Sequence, residues 1–119
     1  LIGEGPGRDE DIQGYPFVGA AGQLLDKMLA AISLDRTKVY IANIVKCRPP
    51  QNRTPLEDEA MACLPYLRAQ VALIQPQGIW MLPTFHPAAL LRDESKKRDA
   101  WHDMQSLRDK IKELGPDGE

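Results

Sequence analysis

The sequence predicts an α/β fold in which helices pack against a mostly parallel sheet. Short apolar, β-branched segments alternate with amphipathic helical segments along the 119 residues, which is the order typical of parallel sheets. Loops rich in glycine or proline follow the apolar segments, and ligands bind such loops at the carboxyl ends of parallel strands. The length suits one domain.

The first part of the chain predicts a strand, a turn and a helix. Leu1-Ile2 is the end of a buried strand, and Gly3–Gly7 forms a turn in which glycines permit close backbone approaches. Residues 8–18 are expected to be loop. A helix over Ala20–Ile32 is indicated by apolar residues at helical spacing, namely Leu24, Leu25, Met28, Leu29 and Ile32.

The middle of the chain predicts a second strand and a long helix. Val39–Val45 is an apolar run interrupted by Asn43, a polar residue that costs free energy in such a strand unless it has a partner. After a loop, the series Thr54-Pro55-Leu56-Glu57 has the form of a capping box with Thr54 as N-cap. The helix should run to Ile74.

The last part predicts a short strand, a loop and a final helix. Ile79–Leu82 is the strand, Thr84–Arg92 the loop, and Lys97–Leu114 the helix. Its apolar stripe consists of Trp101, Met104, Leu107, Ile111 and Leu114.

Composition and charge favour a soluble cytoplasmic protein. The chain has no apolar stretch long enough to cross a bilayer and no signal-peptide pattern. Its net charge of −2 and pI near 5.7 are not those of a typical nucleic-acid-binding domain. Residues 43–53 and 92–98 nevertheless hold basic groups, although such groups are usually solvated faces.

Two cysteines, Cys47 and Cys63, are too few for a disulfide scaffold. On composition alone, both cysteines are expected to be buried free thiols rather than metal ligands. The chain also begins with Leu1, immediately at a strand that is shorter than usual, so we expect further residues before it.

Four blocks of sequence resemble family 4 uracil-DNA glycosylases, the iron–sulfur type. The first is Gly3-Glu4-Gly5-Pro6-Gly7 with Asp9-Glu10 and Gly14-x-Pro16-Phe17-Val18-Gly19-x-x-Gly22. The second is Asn43–Pro50 with Asn52-Arg53, and the third is the helix carrying Cys63 and ending Gln70-x-x-x-Ile74-x-Pro76. The fourth is Thr84–Arg92. The blocks follow the family's order and cover nearly the whole chain.

The resemblance implies a three-layer α/β/α domain with a central sheet of four strands. Residues 1–119 would form one such domain, incomplete before residue 1 and near 77–78, where relatives have a further strand and helix. It also implies an enzyme that hydrolyses the N-glycosidic bond of deoxyuridine in DNA. We expect a monomer that binds uracil-containing DNA and no membrane.

The resemblance assigns a uracil pocket to residues in three of the blocks. Phe17 would stack on the base, Asn43 would read its edge, and His86 would stabilise the charge that develops on uracil O2. Asn43 and His86 are therefore the predicted catalytic residues. The remaining pocket residues are Glu4, Gly5 and Glu10, with Glu10 near C5, where it could exclude the methyl group of thymine.

The same resemblance implies a 4Fe–4S cluster and a DNA-contacting surface. Cys47 and Cys63 match two of the four cluster ligands, and the other two lie nearer the N-terminus in relatives. Arg53 and Arg92 would contact DNA, and Leu91 would wedge into the space left by a flipped nucleotide. The sequence leaves open whether Leu90 and Leu91 are wedge or core residues.

Two other functions stay open at this stage. One is a catalytically silent DNA-binding module of the same fold, for example in a polymerase or repair factor. The other is an unrelated nucleotide-binding α/β domain that uses the glycine loop for phosphate, which would leave Asn43 and the last block without a role.

Overall fold

The structure, a computed structural model, describes residues 1–76, 82 and 84–114. Within them, strands β1 (Ile2–Gly3) and β2 (Ala42–Asn43) pair in parallel, with Ile2 opposite Ala42 and Gly3 opposite Asn43. The N–H groups of residues 44 and 45 donate to the carbonyls of residues 3 and 4 and continue the pairing. The parallel pairing was expected, but β2 is shorter than the predicted Val39–Val45.

The described residues form three long helices and two short ones. The helices are α1 (Arg8–Gln13), α2 (Ala20–Ala31), α3 (Glu57–Ile74), α4 (Pro87–Arg92) and α5 (Lys97–Leu114), with 3-10 turns at Pro50–Asn52 and Glu94–Lys96. Helices and a parallel sheet together give an α/β fold. None of the helices described is long and apolar enough to cross a membrane.

The core lies between α2, α5 and the loops beside the sheet. Leu29 is completely buried, and the side chains that cluster with it are Phe17, Leu25, Ile32, Ile41 and Met104. The predicted bounds of α2 and α5 are confirmed, to within one residue at the end of α2. The α5 stripe is only partly correct, because Trp101 and Leu114 are exposed.

Two segments predicted as loop are helical. In α1, the Glu10 carboxylate accepts the N–H of Gly7, and Gly14 ends the helix at a left-handed φ of 80°. In α4, Pro87 occupies the first turn, where its missing N–H costs nothing, and the His86 side chain caps the helix. The prediction of loop over residues 8–18 and Thr84–Arg92 was therefore wrong for these parts.

Helix α3 begins two residues later than the predicted N-cap at Thr54 implied. The N-cap is Leu56, and its N–H donates to the Glu59 carboxylate at 2.8 Å. Glu59 is also held by the Arg53 guanidinium, which favours the later start over one at Thr54. The predicted end at Ile74 is confirmed. The predicted strand Ile79–Leu82 and the junction near 77–78 fall almost wholly outside the described residues.

Candidate active site

A cleft of about 200 Å³ opens where the loops after β1 and β2 meet the start of α4. All six residues predicted for the uracil pocket line it, although they come from distant parts of the sequence. The lining residues are Glu4, Gly5, Pro6, Gly7, Glu10, Phe17, Ala21, Gly22, Asn43, Pro49, Asn52, Arg53, Pro55, His86 and Ala88. The fold thus brings three of the four sequence blocks to one place.

Asn43 is a buried polar residue at the end of β2. The residue is 6% exposed, and its Oδ1 atom has no hydrogen-bond partner within the described part of the chain. The Lys46 ammonium holds the backbone carbonyl of Asn43 at 2.6 Å and also binds Gln70. A buried acceptor left unpaired costs free energy, so this carboxamide is suited to a ligand that brings its own donor.

Gly3 is required for this arrangement and was not among the predicted site residues. A Cβ atom added there would lie 2.5 Å from Asn43 Oδ1 and 2.6 Å from Phe17 Cζ. Real Cβ atoms do not approach other heavy atoms so closely, so only glycine at position 3 leaves room for both the Asn43 carboxamide and the Phe17 ring. The glycine-rich turn Gly3–Gly7 indicated that other groups pack closely against the backbone, but it did not indicate which glycine they contact.

Phe17 and His86 form a stacked pair in the cleft. Their ring centroids are 5.3 Å apart, with an angle of 28° between the planes. Phe17 is buried, and its backbone has a left-handed φ of 54°, which is uncommon for an aromatic residue. The ring is thus held at the site by a backbone conformation that the surrounding structure must impose.

His86 is a neutral hydrogen-bond donor in this environment. Burial lowers the pKa of its imidazole below the ordinary 6.5; the nearby Arg92 charge adds to this, while Glu4 and Glu10 oppose it. Nδ1 accepts the N–H of Ala88 at 3.1 Å, so the proton of the neutral ring must be on Nε2. The site therefore has an N–H donor that carries no net charge.

The two predicted pocket carboxylates have different surroundings. Glu4 is exposed, whereas both oxygens of Glu10 accept backbone N–H groups, from Gly7 at 3.0 Å and from Val18 and Gly19 at 2.7 Å. Partial burial would raise the pKa of Glu10, but these hydrogen bonds outweigh it and hold the pKa below the ordinary value. Glu10 lines the cleft with its oxygens already engaged.

The predicted DNA-contacting residues lie in two places. Arg53 borders the cleft, with its guanidinium paired to both oxygens of Glu59 at 2.7 and 2.9 Å. Leu91 and Arg92 are exposed on α4, outside the cleft lining. Leu90 is 2% exposed. It is therefore a core residue and not a wedge that could enter DNA.

The two cysteines are unpaired. Cys47 is exposed and Cys63 on α3 is half-buried, so the composition-based expectation of two buried thiols was wrong for Cys47. No group of three or more His, Cys, Asp or Glu side chains suited to a metal occurs in the described ranges. Because a 4Fe–4S cluster takes four ligands, these residues alone do not fit one.

Comparison with known proteins decides the family. The family model described as the uracil DNA glycosylase superfamily matches residues 1–105. The chain belongs to this superfamily. A type-4 uracil-DNA glycosylase of Pyrobaculum aerophilum is 44% identical over 88% of this chain and 54% of its own length. One from Thermotoga maritima is 38% identical over 97% of this chain and 78% of its own length.

The type-4 relatives confirm the resemblance that the four blocks indicated. This superfamily member spans about half the length of the Pyrobaculum relative. The alignment with the Thermotoga relative extends over 150 residues, more than the 119 of this chain. A DNA polymerase of Bacillus phage SP01 is also 39% identical over 57% of this chain, but over only 7% of its own length.

Proposed function

We propose that the chain is the base-binding part of a uracil-DNA glycosylase, which hydrolyses the N-glycosidic bond of deoxyuridine in DNA to give uracil and an abasic site. The observation that carries the proposal is that Asn43 Oδ1, which has no partner among the described residues, lies in the same cleft as Phe17 and the neutral His86. Family membership supports it independently.

Uracil recognition would rest on Asn43 and Phe17. The small cleft suits a single flat base, and the Phe17 ring offers an apolar face for it. The Asn43 carboxamide can accept the N3–H of uracil and donate to O4, whereas cytosine presents the opposite pattern at these atoms. Binding of uracil would give Asn43 Oδ1 a hydrogen-bond partner. The same contact would thus select uracil over cytosine and remove the desolvation cost of the buried oxygen.

Bond cleavage would rest on His86. Breaking the glycosidic bond places negative charge on uracil, and a fixed donor near O2 lowers that barrier. The Nε2–H of His86 is such a donor. The backbone N–H of Gly5, which also lines the cleft, would add to it. Gly5 occupies the position where an aspartate would be the obvious base for the attacking water, so we propose that leaving-group stabilisation dominates.

DNA contact would involve α4 and the loop at Arg53. A base must leave the stack before its glycosidic bond is accessible, at a cost of a few kcal/mol. Leu91, half exposed on α4, would fill the vacated space, and Arg92 and Arg53 would contact phosphates.

The remaining parts of the proposal concern the whole protein. Cys47 and Cys63 would supply two of the four ligands of a structural 4Fe–4S cluster, and the full sheet would have four strands between helical layers. A cytoplasmic monomer is also proposed. Iron and acid-labile sulfide analysis of the full-length protein tests the cluster, since an active, iron-free enzyme would refute it.

The test of function is release of uracil by the full-length protein. Oligonucleotides that differ only in carrying one deoxyuridine, deoxycytidine or thymidine would be incubated with it, followed by measurement of free base and alkali-labile sites. We expect release from the deoxyuridine substrate alone. No release, or equal release of cytosine, would contradict the proposal.

A second candidate is a catalytically silent DNA-binding module of the same fold. The similarity to part of a phage DNA polymerase favours it, because that match shows related sequence within a protein named for a different activity. Binding of uracil-containing DNA without base release by the full-length protein would support this candidate over the enzyme.

A further inference from the structure

The Phe17 backbone is held by a side chain that does not line the cleft. Arg36 lies between α2 and β2, and its Nη1 donates to the Pro16 carbonyl at 2.9 Å while its Nη2 donates to the Phe17 carbonyl. Its Nε donates to Asp26 Oδ1 at 2.7 Å. One planar guanidinium thus binds two consecutive carbonyls and a carboxylate on α2, an arrangement that its rigid fork allows.

The opposite side of the same peptide group is held by an anion. The Phe17 carbonyl accepts from Arg36, and the N–H that follows it, on Val18, donates to Glu10. The Phe17–Val18 peptide is therefore fixed at both ends by side chains of opposite charge. This explains how an aromatic residue keeps the left-handed φ of 54°, a conformation that persists only where its surroundings impose it.

Most exposed ion pairs contribute little to the stability of a protein, and the Arg36–Asp26 pair is exposed. The two hydrogen bonds that Arg36 donates to backbone carbonyls distinguish it from the arginine of an ordinary surface ion pair. Arg108 is a close comparison, since its side chain is also 35% exposed and its Nε also binds an aspartate Oδ1, but it has no bond to a backbone carbonyl among the described residues.

We propose that Arg36 is a positioning residue for base excision, which holds the Phe17 ring where a base stacks on it. The inference rests on the proposed function. Because Arg36 does not itself line the cleft and acts on it through Phe17, its loss should weaken base binding more than it slows the chemical step. A misplaced stacking ring costs on the order of ten- to a hundredfold in such sites.

The test compares Arg36→Gln with Arg108→Gln in the full-length protein, at a temperature where both are folded. We expect Arg36→Gln to raise KM for deoxyuridine-containing DNA and the Kd of free uracil by about tenfold or more, with a smaller change in kcat. Arg36→Lys should rescue little, because an ammonium lacks the fork. Equal KM and Kd values in Arg36→Gln and Arg108→Gln would overturn the proposal.

A second readout separates this inference from the proposed function. His86 stacks on Phe17, so displacement of the ring should shift the imidazole proton resonances of His86 and leave those of His102 unchanged. If the wild type releases no uracil but Arg36→Gln shifts His86, the function is wrong and the positioning role stands. An unshifted His86 would overturn the positioning role. Asp26→Ala, which removes only the Nε contact, gives a milder form of the same test if Arg36→Gln does not fold.

Discussion

The rings of Phe17 and His86 lie stacked with their centroids 5.3 Å apart. This contact joins the loop before α2 to the N-cap residue of α4. It helps to bury the imidazole, and burial is the main cause of the lowered His86 pKa. The residue proposed to stack on the base therefore also helps to set the protonation state of the proposed donor.

The first prediction follows from this stack. Phe17→Ala should raise the pKa of His86 towards 6.5, because the ring loses its apolar cover. Proton NMR titration measures it directly, since the chain has only two histidines and His102 serves as the internal reference. A His86 pKa unaltered by the substitution would mean that other groups bury the imidazole.

The second prediction concerns pH. The folded-state pKa of His86 is depressed, so the neutral ring is present above that pKa and is lost as the pH falls through it. Protonation at Nδ1 also removes the acceptor that caps α4 at Ala88. Single-turnover excision should be level from about pH 8 to 6.5 and fall only at lower pH.

The matched control for the pH profile is His86→Asn, in which the acid limb should shift or disappear. An acid limb with its midpoint above 6.5 that is removed by His86→Asn would contradict the assignment.

The third prediction separates stability from activity at Asn43. Its unpaired Oδ1 carries a desolvation cost of about 1–3 kcal/mol, which offsets the packing lost on truncation. Asn43→Ala should therefore change the free energy of unfolding by less than about 1 kcal/mol, while excision falls on the order of a hundredfold. Denaturant unfolding and single-turnover kinetics measure the two quantities. A large loss of stability would show that Asn43 is chiefly structural.

The fourth prediction uses two glycines. A Cβ atom at Gly22 would lie 1.9 Å from the Phe17 carbonyl oxygen, whereas one at Gly5 would come no closer than 3.7 Å to any neighbour. Gly22→Ala should destabilise the protein by about 1–3 kcal/mol through overpacking, and Gly5→Ala should have little effect on stability. Thermal unfolding of the pair checks this, and equal Tm values would count against the close packing of Phe17 on α2.

The periodic spacing of apolar residues predicted the bounds of α2 and α5 almost to the residue, because packing of their apolar faces against the core determines where these helices form. It could not give α1, whose sequence Arg8–Gln13 has a single apolar residue and no stripe. That helix depends on contacts made by Glu10 to distant backbone groups. Likewise α4 begins with a histidine cap, and histidine is not among the residues preferred at that position.

The pocket residues were found by resemblance, and Asn43 also by its place in an apolar strand. The residues that position them were missed. Arg36 lies in an ordinary polar segment, and nothing in its spacing indicates that it binds carbonyls 19 and 20 residues earlier. Gly3 was visible as a turn glycine, but its role depends on two side chains that meet only in the folded chain.

The central claim is that His86 stabilises the departing base in the cleft lined by Asn43 and Phe17. The most direct test is single-turnover excision of uracil by the full-length protein carrying His86→Ala or Glu4→Ala, both of which remove a group at the cleft. We predict that His86→Ala lowers the rate on the order of a hundredfold or more, and that Glu4→Ala lowers it far less. Equal losses in the two variants would contradict this mechanism.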